Sequence, residues 1–229
     1  MKTSGKNIQA SKNNLTGPAV AVDILLFSII EKRLKVLLLK ITQGPYKDQW
    51  ALPGGLVWID ETLDGAAERV LQEKAGIKRL YLEQLYTFGG LKRDVRGRSV
   101  SVAYFALVDS DKFIPKTTEY YSDIRWHEAE DLPVMAFDHK EIVRYGLERL
   151  QNKIGYSNIA YGLLPREFTL SELQGVYEII IGEKLDKRNF RKKLKMTDIV
   201  ATTERVRLGH KNRPAGLYRF KKRGLVFTK

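Results

Sequence analysis

The 229-residue sequence predicts an α+β protein: a helix-and-sheet sandwich with a small, strongly basic module behind it. Three observations predict this. Apolar, β-branched runs come first and helical spacing follows, in a mixed order that does not alternate as strict βαβ units would. The charge is uneven: residues 1–154 hold 23 Lys+Arg against 20 Asp+Glu, whereas residues 155–229 hold 17 against 7. Finally, 43% hydrophobic and 29% charged residues are ordinary for a globular chain, long enough here for one large domain or two small ones. The expected division is a flexible stretch 1–17, a sandwich domain 18–154 and a basic module 155–229.

Each element has its own signal. The opening residues are polar, with no signal-peptide pattern. The runs AVAVDILLFSII (19–30) and LKVLLLKI (34–41), joined by EKR, read as a buried hairpin. The first run carries Asp23 and is too short to cross a bilayer, so a cytoplasmic protein with no membrane partner is expected. TQGPYKDQ (42–49) reads as a loop leading through Trp50-Ala51-Leu52-Pro53 to the pair Gly54-Gly55. A helix is expected from about Thr62 to a stop at Gly76. Strands follow at LEQLYTFG (82–89) and SVSVAYFALV (99–108), with the polar loop KRDVRGR (92–98) between them. DIRWHEA (123–129) is a short strand, and DHKEIVRYGLERLQNK (138–153) has helical spacing. IGYSNIAYGLLPRE (154–167) looks like the join.

In the basic module, Thr169 and Glu172 form a capping box opening a helix that ends at Gly182. Asp186 is the N-cap of a second helix, on which Lys187, Arg188, Arg191, Lys192 and Lys195 share an arc of roughly 140°. Phe190 and Leu194 lie at the arc's edge and can anchor the helix to a core. Residues 201–220 read as two strands around a basic loop. Two short helices, the second basic, suit a helix-turn-helix with 187–195 as reader and the hairpin as wing. Arg188 and Asn189 are the choices for base edges, and Lys211, Asn212 and Arg213 for phosphate or a minor groove. The plainer alternative is a solvated lysine-rich helix.

The stretch GGLVWIDETLDGAAERVLQEKAGI (54–77) carries the sharpest question. Val70, Glu73 and Lys74 share one helix face by their i, i+3, i+4 spacing. Carboxylates in such a row would collect magnesium against a diphosphate, yet this row supplies one carboxylate, one alkyl group and one ammonium. The plainer alternative is a core helix with the stripe Leu63, Ala66, Ala67, Val70, Leu71 and Ala75. No cysteine is present, which excludes disulfides, thiolate zinc sites and cysteine nucleophiles. His127, His139 and His210 show no ligand spacing and are expected in ordinary core or surface roles.

This stretch resembles the Nudix box, G-x5-E-x7-R-E-U-x-E-E-x-G-U, with Gly55, Glu61, Arg69, Leu71, Glu73, Gly76 and Ile77 in register. Val70 and Lys74 stand where Nudix hydrolases place metal-binding glutamates. With the basic module, the chain after residue 18 resembles the Nudix-related transcriptional regulators. The resemblance implies a Nudix-like α/β/α sandwich with a C-terminal winged helix-turn-helix domain. It implies that the degenerate Nudix domain senses a small molecule, ADP-ribose or a sugar such as arabinose, and that a homodimer binds double-stranded operator DNA. The expected effector site takes Arg69, Glu73 and Lys74 from the box and Arg93, Arg96 and Arg98 from the loop, with no catalytic residue, metal ligand or cofactor assigned. The alternative is an active pyrophosphatase on ADP-ribose or a related nucleoside diphosphate, using Glu61, Glu73 and Asp64; an RNA-binding Nudix protein is a third.

Overall fold

A computed structural model describes residues 17–77, 80–109, 121–208 and 214–227. β1 (Ala19–Ile30) and β2 (Arg33–Ile41) form the expected antiparallel hairpin. Its turn is two residues rather than three: Glu31 and Lys32 both take positive φ, 54° and 60°, as a type I′ hairpin requires, and Arg33 already belongs to β2. β3 (Trp50–Ala51) pairs antiparallel with the end of β2, and β4 (Gly54–Leu56) pairs with the start of β1. α1 (Leu63–Ala75) follows, capped by the Thr62 side chain and closed by Gly76 in the left-handed region. β5 (Glu83–Phe88) pairs with β6 (Ser99–Leu107), and β6 runs parallel to β1 along its whole length. β7 (Tyr121–Glu128) flanks β2, completing a seven-stranded sheet, and α2 (His139–Ile154) comes after it.

Side chains alternate across a strand, which sorts the two helices onto opposite faces. Val22, Ile24 and Leu26 pack with Ala66, Ala67, Val70 and Leu71 of α1, while Leu25 and Phe27 pack with Ile142, Val143 and Leu150 of α2. Burial on both faces explains why β1 reads as a largely apolar run with no polar alternation, interrupted by the buried Asp23 and Ser28. α2 lies directly on β1 at Gly146, where a Cβ would fall 2.0 Å from Leu25 Cδ2.

After α2, a 3₁₀ turn (Ile159–Gly162) leads into β8 (Phe168–Thr169), α3 (Leu170–Ile181), α4 (Lys187–Thr197), β9 (Val200–Arg207) and β10 (Ala215–Phe220). The three strands form a separate sheet in the order β8-β10-β9. Both expected caps are present: Thr169 and Glu172 exchange bonds as a capping box, and the Asp186 carboxylate accepts the Arg188 and Asn189 amides. The hydrophobic core does not stop at the join. One cluster runs from Leu25 and Phe27 through Leu150 and Ile154 to Tyr177, Phe190, Leu194 and Phe220. β3, β4 and β8 were not expected from the sequence, because two or three residues are too few to show a period. Among the described residues no helix is long and apolar enough to cross a membrane.

Candidate functional site

A cleft of about 370 Å³ opens beside Gly54 and Gly55, between β1, the 92–98 loop and the start of α2. Its floor is a buried ion network. Arg93 donates to both Asp138 oxygens at 3.0 and 2.9 Å, to Ser99 Oγ at 3.1 Å and to Asp23 Oδ2 at 3.2 Å. Asp23 also accepts from the Ser101 hydroxyl at 2.5 Å, and His139 Nε2 lies 3.3 Å from its other oxygen. Because His139 Nδ1 accepts the Leu52 amide at 2.9 Å, the imidazole proton belongs on Nε2, facing Asp23. Burial pushes the Asp23 carboxyl up, but His139, Ser101 and Arg93 outweigh it and hold Asp23 below the usual carboxylate range. Gly54 has to be glycine here: a Cβ would fall 2.1 Å from Asp23 Oδ1.

Aromatic rings and cations wall the cleft. Lys74 Nζ donates to the Tyr121 hydroxyl at 3.0 Å and lies 4.7 Å from the ring centre. Arg96 sits 5.0 Å over the Phe137 ring while its guanidinium pairs with Asp94 at 2.8 Å. Tyr46 packs on Phe137 with ring centres 4.2 Å apart and accepts the Val95 amide, which ties the loop down. Phe137 itself has φ of 54°, an unusual conformation for a bulky side chain. Guanidinium and ammonium groups beside aromatic rings suit an anionic ligand carrying phosphates and a flat ring.

The Nudix-box helix makes a different use of its charges. Arg69 bonds both Glu61 oxygens at 2.9 and 2.6 Å, the Leu56 carbonyl at 2.9 Å and Glu73 at 3.3 Å, with Trp58 3.8 Å from its guanidinium carbon. The bond from Arg69 is the main reason Glu61 sits below its ordinary pKa. Asp64 accepts the Tyr104 hydroxyl at 2.6 Å, and Val70 is fully buried against β1. Among the described residues no three His, Asp or Glu side chains are placed to hold a metal ion. Magnesium does not fit this donor set, since the two remaining box carboxylates share one arginine and an ammonium replaces a third.

On α4, Phe190 and Leu194 are buried, with Phe190 edge-on to Tyr177 at 5.1 Å. Lys187, Arg188, Asn189, Arg191, Lys192 and Lys195 are all exposed. The neighbouring β9 arginines are already paired, Arg205 with Glu167 and Arg207 with Glu172.

Residues 17–146 match the family model of the NUDIX domain, and residues 160–220 match that of the NrtR DNA-binding winged helix domain. The chain belongs to the Nudix-related transcriptional regulators. It is 39% identical over 216 residues to the ADPR responsive transcriptional repressor NtrR of Acinetobacter baylyi, covering 93% of this chain and 86% of that one. Shewanella oneidensis NrtR, solved with a 27mer DNA, superimposes with a TM-score of 0.78 at 36% identity, covering 88% of this chain and 93% of that one. Its NUDIX domain, solved with ADP ribose, matches at a TM-score of 0.53 and 33% identity, covering 62% and 94%. An ADP-ribose pyrophosphatase of Methanocaldococcus jannaschii is 34% identical over 127 residues, 56% of this chain and 72% of that one.

Within this regulator fold, the effector residues expected from the sequence divide. Lys74, Arg93 and Arg96 line the cleft; Arg69, Glu73 and Arg98 do not. Arg69 is drawn away by Glu61 and the Leu56 carbonyl, Glu73 is half exposed beside it, and Arg98 donates to the Gly90 and Ser99 carbonyls. The 92–98 loop is not simply a polar surface loop, because Arg93 is 7% exposed. Asp23, Tyr121, Phe137 and His139 line the cleft without having been expected there. Asp23 could have been found: an acid inside an apolar strand demands a buried cation. The expected wing residues Lys211, Asn212 and Arg213, and His210 with them, lie outside the described residues.

Proposed function

We propose that this regulator is a repressor that reads operator DNA with α4 and responds to ADP-ribose bound in the cleft. The observation that carries the reading is the convergence of Lys74, Arg93 and Arg96 beside Tyr121 and Phe137, on a Nudix domain joined to an NrtR winged helix. A diphosphate would meet Lys74 and compete with Asp94 and Asp138 for the two arginines, and the adenine ring has aromatic surfaces at hand. The names of the Acinetobacter and Shewanella relatives support ADP-ribose over a plain sugar. Two copies of the chain on a two-fold operator would place two α4 helices in successive major grooves.

The same reading makes the protein a poor hydrolase. The similarity to an ADP-ribose pyrophosphatase supports a shared ligand, while Val70, Lys74 and the Glu61–Arg69 pair leave the box without a magnesium site. Calorimetric titration with ADP-ribose, arabinose and xylose tests the proposal. ADP-ribose should bind, and Arg96→Ala should weaken it roughly 10- to 100-fold, the worth of a charged hydrogen bond of about 1.5–3 kcal/mol. Binding of a sugar alone, untouched by Arg96→Ala, would contradict it.

A further inference from the structure

Asp138 immediately precedes α2, the position where an aspartate normally caps a helix by accepting its first free amides. Here it does not. Its side chain makes no capping bond, and both oxygens go instead to Arg93 at 3.0 and 2.9 Å. Its backbone is also unlike a cap, with φ −93° and ψ 19° in place of extended values, and the preceding Phe137 is in the left-handed region. The start of α2 is therefore held in an uncapped arrangement by a cation that lines the ligand cleft.

The other end of α2 reaches the DNA-reading module. Sixteen residues make a rod of about 24 Å. Ile154, at its end, and Gly155 and Ser157 just beyond face Tyr177, Phe190 and Leu194, so α2 ends against the base of α4. Leu150 and Ile154 belong to the same buried cluster as Phe190 and Leu194.

We propose that Asp138 is a positioning residue that couples the cleft to α4 by exchanging partners. An anionic ligand that engages Arg93 releases the Asp138 carboxylate. The carboxylate then caps the first turn of α2, Phe137 leaves its left-handed conformation, and α2 shifts against α4. The two arrangements are mutually exclusive because one carboxylate cannot serve both, which gives the coupling its two discrete states. The identity of the ligand rests on the effector reading above; the exchange itself rests only on Asp138, Arg93 and α2.

Two variants separate the arrangements. Asp138→Ser can cap but cannot pair with Arg93, and Asp138→Ala can do neither. Operator affinity is measured for each with and without ADP-ribose, on duplex selected by the wild-type protein from a random pool. Without ligand, Asp138→Ser should already differ from wild type at least fivefold, in the direction ADP-ribose shifts wild type, and added ligand should change it less than threefold. Asp138→Ala should bind ADP-ribose yet also respond less than threefold. Amide exchange at Lys140 should slow when ADP-ribose is added to wild type, whereas the Glu141 amide is already held by the Asp138 carbonyl at 2.9 Å. A ligand-free Asp138→Ser protein identical to wild type, or a full response in Asp138→Ala, overturns the exchange; a purely structural role would lower thermal stability and leave these ratios intact. Failure of wild type to bind ADP-ribose overturns the effector reading alone, since a ligand-free Asp138→Ser protein should still differ from wild type at least fivefold in operator affinity, and equality would still overturn the exchange.

Discussion

Replacing Arg93 with Met keeps most of the side chain's bulk and removes its charge from a site where it is 7% exposed. The change deletes two bonds to Asp138, one to Asp23 and one to Ser99. Breaking a buried ion pair from one side costs about 3–5 kcal/mol, because the orphaned charge stays in a poor solvent. The lower half of that range applies here, since Ser101 and His139 still hold Asp23 and Asp138 is partly open to water. A loss of about 3–4 kcal/mol in a chain of this size lowers the melting temperature by roughly 6–16 °C. Thermal unfolding followed by circular dichroism measures it. Adding Asp23→Asn to Arg93→Met should restore about 1 kcal/mol or more, since neighbours in one network are not additive. A loss below about 1 kcal/mol for the single variant, or strictly additive effects in the double one, would refute the claim that the Arg93 charge holds Asp23 and Asp138 together.

Arg188→Ala should weaken specific DNA binding by about 1–3 kcal/mol, and reversing charge at Arg191 and Lys192 together should abolish it; unchanged duplex binding in a gel-shift titration would remove α4 as the reader. Each phosphate contact from α4 should add about 0.9 to the slope of log affinity against log salt. Asp186→Ala deletes the α4 cap and should cost about 0.5–2 kcal/mol in urea unfolding, whereas a neutral result would mean the cap bonds contribute nothing. Glu178 is held down to about 2 by Lys184, Gln174 and the Leu185 amide. Its folded pKa lies below the ordinary 4.5, so its stabilisation is present above that pH and fades as pH falls towards 2. Glu178→Gln should accordingly flatten the acid limb of a stability–pH profile; an unchanged limb would contradict this.

Much of the fold was legible because its signals are local. Thr62, Thr169 and Asp186 mark helix starts by side-chain bonds, and Gly76 and Gly182 mark helix ends by their left-handed backbone, all within three or four residues. The basic face of α4 was equally legible, since Phe190 and Leu194 repeat at helical spacing and leave the cations outside. The cleft was not, because its parts come from distant places. Asp23, Arg93 and Asp138 are separated by 70 and 45 residues, and the parallel pairing of β1 with β6 sets the loop that carries Arg93 beside β1. The Nudix-box spacing pointed to Arg69 and Glu73 for the same reason it pointed to the helix: it records sequence neighbours. It could not show that Glu61, folded back from the preceding loop, would claim Arg69.

Operator binding and ADP-ribose turnover, measured in one tube with magnesium, separate a sensor of ADP-ribose from a hydrolase. Fluorescence anisotropy of a selected operator duplex reports DNA affinity while chromatography follows release of AMP. For a sensor, ADP-ribose should change operator affinity at least fivefold while remaining uncleaved. ADP-ribose consumed at about 1 per second or faster, with operator affinity unmoved, would contradict it.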